Sequence, residues 1–218
     1  LFSIPFAGLT EDGLPTFINQ DGQKTISSFN FQEYEKLDFL KYEGPTDPTI
    51  TGSFGNILTY KNLKLNVFVT YSFGNVIRLD PVFSNAYSDL DAMPKEFKNR
   101  WMKAGDENVT NIPTIVSTRM NQQYAYLNMA YNAYNYSDVR IADGGFIRLK
   151  EISLSYDLPA KVINFFRLNK LQLKLQATNL CLLYADSKLN GQDPEFFRSG
   201  GVSTPVPKQF TFTVRLGL

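Results

Sequence analysis

Hydrophobic and polar residues alternate along five stretches of this chain. In the clearest, within 144–159, Ile152, Leu154, Tyr156 and Leu158 share one phase, and Glu151, Ser153, Ser155 and Asp157 share the other. A period of two places alternate side chains on opposite faces of a β-strand. A second stretch sets Leu63, Leu65, Val67, Val69, Tyr71 and Phe73 against Lys64, Asn66, Thr70 and Ser72, interrupted only by Phe68. Before it, Phe54, Leu58 and Tyr60 share a phase with Asn56, opposed by Ser53, Gly55 and Thr59. Leu171, Leu173, Leu175 and Ala177 face away from Gln172, Lys174, Gln176 and Thr178. The chain closes with Phe210, Phe212, Val214, Leu216 and Leu218 alternating with Gln209, Thr211, Thr213, Arg215 and Gly217. Each stretch is long enough to cross a bilayer as a tilted strand.

One strand carries a conflict. Extending its apolar phase upstream from Ile152 places Arg148 and Lys150 with Phe146 on the outward face. A lipid-facing Arg or Lys costs about 2–4 kcal/mol at the membrane centre. Either that end projects beyond the hydrocarbon, or a bulge shifts the register.

A soluble antiparallel sandwich alternates in the same way, so the connections carry the discrimination. Lys61-Asn62 is a hairpin turn. The next connection runs from about 75 to 143, the following one covers about 159–168, and the last runs from about 185 to 208. Short and long connections in alternation are the signature of outer-membrane barrels, with tight periplasmic turns and extended extracellular loops. Within the longest connection, 94–102 predicts a short helix that begins at Pro94, offers Phe97, Trp101 and Met102 for packing, and ends at Gly105. The Tyr-, Asn- and Ala-rich stretch 124–136 has no clear period and reads as a loop with room for a helix.

Composition fits an all-β fold and excludes several chemistries. Among 218 residues there are 18 Phe, 12 Tyr and one Trp, enough for aromatic girdles. A net charge of +1 gives no nucleic-acid footprint. Histidine is absent and Cys181 is the only cysteine, which removes His-based triads, His metal sites, Cys clusters and internal disulfides. Cys181, in an apolar run, is expected to be a buried packing thiol. No apolar run is long enough for a membrane helix, which says nothing against a barrel. The chain opens at Leu1 without an initiator Met and is read as a mature form or a fragment.

The segment Gly-Gly-Phe-Ile-Arg-Leu-Lys-Glu-Ile-Ser-Leu-Ser-Tyr-Asp-Leu-Pro at 144–159 resembles a motif near the carboxyl end of the SusC/RagA family of TonB-dependent outer-membrane transporters. The resemblance covers nearly the whole chain, in order. Ala7-Gly8-Leu9, Gly13-Leu14-Pro15 and Asp21-Gly22 come first, then Tyr42, Gly44, Pro48, Gly52-Ser53-Phe54-Gly55-Asn56 and Tyr60-Lys61. Asn99-Arg100-Trp101, Gly105-Asp106-Glu107 and Ile112-Pro113 are similar to an extracellular-loop signature; Asn179-Leu180, Gly191 and Asp193-Pro194-Glu195 complete the series.

The resemblance implies an all-β fold: the last strands of a large antiparallel transmembrane β-barrel, of the plugged 22-stranded size class, with long extracellular loops. Residues 1–218 would be its carboxyl-terminal portion, with the plug domain and earlier strands outside this chain. It also implies an outer-membrane location in Bacteroidota and a SusD-like surface lipoprotein as partner. Uptake of oligosaccharides or peptides would be driven through the TonB complex by way of the plug. No cofactor is implied. Barrels of this kind usually end in an aromatic residue, whereas this chain ends Arg215-Leu216-Gly217-Leu218, so either Leu218 serves or a residue or two follow it.

No residue set reads as catalytic or metal-binding, and the chain is not expected to be an enzyme. Asp193 and Glu195 read as a loop turn at Asp-Pro, and Asp106-Glu107 likewise. Lys64, Lys174 and Arg215 are expected to face the lumen. Aromatics are the candidates for ligand contact: Trp101, Tyr124, Tyr126, Tyr131, Tyr134 and Tyr136. Tyr60, Tyr71 and Tyr156 read as membrane-interface anchors, since Tyr rings favour the headgroup level. Two competing readings are a soluble β-sandwich that binds carbohydrate and an accessory domain of a glycosidase. Packing of the Leu171, Leu173, Leu175 row against a second sheet would favour the sandwich.

Overall fold

All five alternating stretches form strands. The computed structural model describes residues 1–29, 35–88, 90, 92–165, 167–197 and 207–217. We label the long strands β1 (Ile50–Tyr60), β2 (Leu63–Phe73), β3 (Phe146–Asp157), β4 (Lys170–Ala185) and β5 (Gln209–Gly217). They form one sheet in sequence order, each antiparallel to the next. This is an up-and-down wall, open at β1 and β5 among the described residues. Leu218, the last position of the terminal apolar row, lies outside the described residues.

The register assigns every side chain to a face. Tyr60, Leu63, Tyr156, Leu173 and Val214 lie in one cross-strand row, and Leu58, Leu65, Leu154, Leu175 and Phe212 in the next. The following row is Asn56, Val67, Ile152, Ala177 and Phe210. On the opposite face run Lys64, Ser155, Lys174 and Thr213, then Asn66, Ser153, Gln176 and Thr211. The apolar face is uncovered: Phe210 is 75 % exposed, Leu216 63 % and Phe54 63 %. Soluble monomers rarely leave so large a contiguous apolar surface in water. With no second sheet on the Leu171, Leu173, Leu175 row among the described residues, the sandwich reading loses its required feature.

A bulge resolves the conflict at Arg148. Pairing of β3 with both neighbours shifts between Leu149 and Glu151, leaving Lys150 as the extra residue. Below it Ile152 opposes Val67 on the apolar face; above it Leu149 opposes Val69 and Ile147 opposes Tyr71. Arg148 therefore opposes Thr70 on the polar face. Phe68, the interruption in β2, lies on that face opposite Gly55, with its ring edge 3.1 Å from where a Cβ on the glycine would sit. On the other face Tyr71 covers Gly52 in the same way. Aromatic rings over strand glycines restore contacts that the missing side chain gives up.

Strand β4 runs beyond the alternating stretch. Asn179 adopts φ +52°, which ends the regular pattern at Thr178, and pairing resumes with Cys181 opposite Leu149. Cys181 is thus on the apolar face and exposed, not buried as expected from its apolar neighbours. The connection after β3 contains a short helix, α3 (Ala160–Phe165).

The second compact unit comprises Leu1–Thr46 and Val76–Ala142. Phe6–Leu9, Pro15–Ile18 and Lys24–Thr25 form a small antiparallel sheet. The stretch read as a loop is a helix, α2 (Leu127–Asn135), preceded by a shorter one, α1 (Thr118–Gln123), whose N-cap Ser117 accepts the Met120 amide at 3.2 Å. Leu127, Ala130, Tyr131 and Tyr134 recur at helical spacing and pack with Leu14, Phe17, Phe83 and Phe97. Lys95–Asn99 is a 3-10 turn with Phe97 buried, shorter than the helix predicted over 94–102. Gly105 does not end it: at φ +99° it opens a second turn, Asp106–Asn108.

Candidate functional site

The six aromatic candidates separate into distinct environments. Tyr131 and Tyr134 are 1 % and 2 % exposed in the core of their unit and present no surface to a ligand. The Tyr131 hydroxyl donates to the Thr114 carbonyl at 2.6 Å, and the Tyr134 ring meets Phe83 edge-on at 5.0 Å. Burial disfavours the phenolate and pushes both hydroxyl pKa values above the ordinary 10.0. The expectation of ligand contact therefore fails for these two, because the helical stripe that carries them is the core-facing one.

Trp101 and Tyr124 grip one tight turn. The Trp101 ring lies against Gly13 (φ +76°), and the Tyr124 hydroxyl donates to Asp12 Oδ2 at 2.9 Å. That hydrogen bond is the main reason the Tyr124 pKa is raised. The indole N–H of Trp101 donates to Glu107 Oε2 at 3.0 Å, which holds the Glu107 carboxyl below its ordinary value. Tyr136 is half-exposed beneath the Arg78 guanidinium, 4.9 Å from ring centre to carbon.

Tyr126 is the aromatic presented to solvent, at 68 % exposure. It occupies the left-handed region at φ +62°, as N-cap of the helix Leu127–Asn135. A non-glycine residue there is uncommon and often marks a functional position. Tyr126 borders a cleft of about 710 Å³ that Asn19, Asp21, Ser27, Ser28, Lys36 and Met129 also line. The volume is in the range of small-ligand sites. Asn19 Oδ1 accepts from the Asp21 and Gln23 amides at 3.1 and 2.9 Å, which shapes one wall. Ser27 donates to the Ala125 carbonyl at 3.2 Å, fixing the other wall beside the tyrosine. Amides, hydroxyls and one ion pair (Lys36 to Asp21, 3.3 Å) around a free ring suit a polar ligand with a flat face.

The wall unit has its own polar centre. Arg148 is 6 % exposed, and its guanidinium donates to both carboxylate oxygens of Asp193 at 2.5 and 2.6 Å and lies 3.2 Å from Glu195. Asp193-Pro194-Glu195 is thus more than a turn, because its first carboxylate fastens the β4–β5 connection to the polar face. The bulge at Lys150 concealed this pair by placing Arg148 on the wrong face in a simple alternating reading. Lower on that face, Asn66 donates to Glu151 at 3.1 Å and Gln172 to Asp157 at 2.8 Å. Lys64 and Lys174 share one row, and Arg215 lies in the next beside Gln172, as the alternation predicted.

No family model matches the chain. It is 26 % identical over 189 residues to TonB-dependent receptor P3 of Formosa agariphila, covering 87 % of this chain and 16 % of that protein. A solved structure of the RagAB peptide importer in the open-open state matches with a TM-score of 0.66 and 20 % identity, over 100 % of this chain and 22 % of that one. The closed-closed state matches with a TM-score of 0.65 and 21 % identity, over 99 % and 22 %. The chain thus spans about a fifth of the length of these proteins. The likenesses bear out the resemblance drawn from the sequence and the antiparallel barrel-wall fold. These relatives are a receptor and an importer, not enzymes.

Proposed function

We propose that this chain, a segment of a TonB-dependent outer-membrane transporter of the SusC/RagA type, forms barrel wall and surface loops in a nutrient importer. One observation carries the proposal: five consecutive antiparallel strands with an uncovered apolar face and a polar face. That pairing of faces suits a wall with lipid on one side and a lumen on the other. The likeness to a TonB-dependent receptor and to a peptide importer supports the functional half.

In this reading residues 1–218 are one portion of a longer polypeptide whose other strands pair with β1 and β5 and whose plug couples to the TonB complex. A SusD-like lipoprotein is the surface partner, and the cargo is an oligosaccharide or a peptide. Lys61-Asn62 and the α3 turn are periplasmic. From Leu63 to Phe73 the strand rises about 33 Å at ~3.3 Å per residue. At a tilt of ~40° this spans about 25 Å of membrane, the height of an outer-membrane apolar band. Tyr60 and Tyr156 lie on the apolar face at its lower end and Tyr71 near its upper end, where interface anchors belong. Tyr126 is the leading ligand contact, with Trp101, Tyr124 and Tyr136 in supporting positions.

Uptake of labelled oligosaccharides and labelled peptides by a strain lacking the polypeptide tests the proposal. Loss of uptake of one class, matched by a strain without TonB, is expected. Undiminished uptake of both in the deletion strain would overturn it.

A further inference from the structure

The hairpin end of the wall carries a compact cationic and aromatic surface with no role in the polar face. The connection after β3 contains α3, and its exposed side chains include Lys161, Phe165 and Arg167. Phe165 is 81 % exposed. Arg167 sits just past the helix at φ +54°, closed by the Leu168 amide donating to the Ile163 carbonyl at 3.1 Å. Glycine is the usual occupant of that left-handed position, so an arginine there is held against backbone preference.

The other turn lies alongside. The Asp157 amide donates to the Asn62 carbonyl at 2.9 Å, and the Asn169 amide to the Gly217 carbonyl at 2.8 Å. Lys61 adds a third cation, 5.3 Å above the Tyr60 ring. Across 61–62 and 157–170 the only acid is Asp157, which accepts from Gln172 on the polar face. The row Tyr60, Leu63, Tyr156 begins the apolar face next to these turns.

We propose that this surface docks on anionic phospholipid headgroups of the leaflet at the hairpin end, with the Phe165 ring at the acyl boundary. The inference rests on the barrel-wall reading above. Two features select the occupant: charge complementarity to phosphate, and continuity with the apolar face that meets lipid. Short amphipathic elements with cations beside an aromatic bind in the interfacial plane. Each Lys or Arg near an anionic surface strengthens such binding about fivefold.

The experiment uses the complete polypeptide reconstituted in vesicles, with heat-modifiable migration on gels to verify the barrel. Phe165→Trp, or Asn164→Trp as a second probe, is read against the unsubstituted protein. Bromine-labelled lipid is expected to quench the indole at position 165 in vesicles containing one-fifth phosphatidylglycerol. Quenching should fall severalfold without phosphatidylglycerol, and likewise in Lys61→Glu/Lys161→Glu/Arg167→Glu, where the expected loss of binding is at least about a hundredfold. Equal quenching in both vesicle types would overturn the anionic recognition. Quenching by aqueous iodide alone, or shielding only when periplasmic protein is added, would overturn the lipid docking. A protein that enters no vesicle and shows no heat-modifiable migration instead refutes the barrel reading beneath it.

Discussion

Replacing Asp193 by Asn should free the segment 186–197 from the wall. In the folded chain the Arg148 and Asp193 side chains are 7 % and 9 % exposed, and the carboxylate takes two hydrogen bonds at 2.5 and 2.6 Å. Arg148 Nε has no further hydrogen-bond partner among the described residues. Removing the carboxylate leaves a buried cation uncompensated, which costs about 3–5 kcal/mol. Glu195, 3.2 Å away with a side chain 45 % exposed, can recapture part of the charge, so about 3 kcal/mol is expected. At about 1.4 kcal/mol per factor of ten, the open state of the connection rises roughly a hundredfold. Hydrogen exchange of the 186–197 amides reads this directly, as does trypsin cleavage after the exposed Lys188. Arg148→Met/Asp193→Leu should lose less than Asp193→Asn, because removing both charges removes the desolvation problem. Glu195→Gln alone should change protection by no more than about fivefold, as expected for an exposed pair. Exchange in Asp193→Asn within twofold of the parent would refute the argument, as would a double variant looser than either single one.

Deleting Lys150 removes the bulge and turns Arg148 toward the apolar face, so the yield of heat-modifiable barrel in vesicles should fall, by up to about 2–4 kcal/mol in folding stability. Gly74→Ala should lower the urea midpoint by the equivalent of about 1–2 kcal/mol, since Gly74 sits at φ +85° and a Cβ there would collide with Thr49. The unit built on Tyr131 and Tyr134 should lose stability as pH rises. Burial raises both folded pKa values above the unfolded value of 10.0, so their full contribution is present below pH 10 and falls above it, by about 1.4 kcal/mol per pH unit for each tyrosine. Near-ultraviolet circular dichroism between pH 9 and 12 would show it, and an unchanged signal would contradict the burial argument.

The wall was legible because each strand has one apolar face and one polar face, and that demand writes a period of two into the sequence. Legibility failed where the backbone breaks the period. Asn179 at φ +52° hid the second half of β4, so Cys181 was expected in a core when it stands on the apolar face. The unit of Leu1–Thr46 and Val76–Ala142 was opaque for another reason. Its helix Leu127–Asn135 packs through alanine and tyrosine, which a simple apolar count scores weakly, although positions 127, 130, 131 and 134 carry the helical spacing. The ligand candidates suffered from the same blindness, since a row of tyrosines looks alike whether it faces a core or a cleft.

The bulge at Lys150 joins these threads, because it lets one strand meet two incompatible requirements. Below it, Ile152, Leu154 and Tyr156 must be on the apolar face; above it, Ile147 and Leu149 must be on that same face. Their numbers differ by an odd step across the bulge, so no uninterrupted strand can place both sets there. Inserting one residue does so, and it also carries Arg148 to the polar face, where it reaches Asp193. The neighbouring strand accommodates the change at the same height, with Asn179 and Leu180 between the paired positions Thr178 and Cys181. A bulge matched on both strands, flanked by correctly faced residues and ending in a buried ion pair, is a positioned feature of the wall and not a pairing defect. It follows that the β4–β5 connection is tied to the wall beside the bulge through Arg148, so perturbing either the bulge or the ion pair should loosen the same segment.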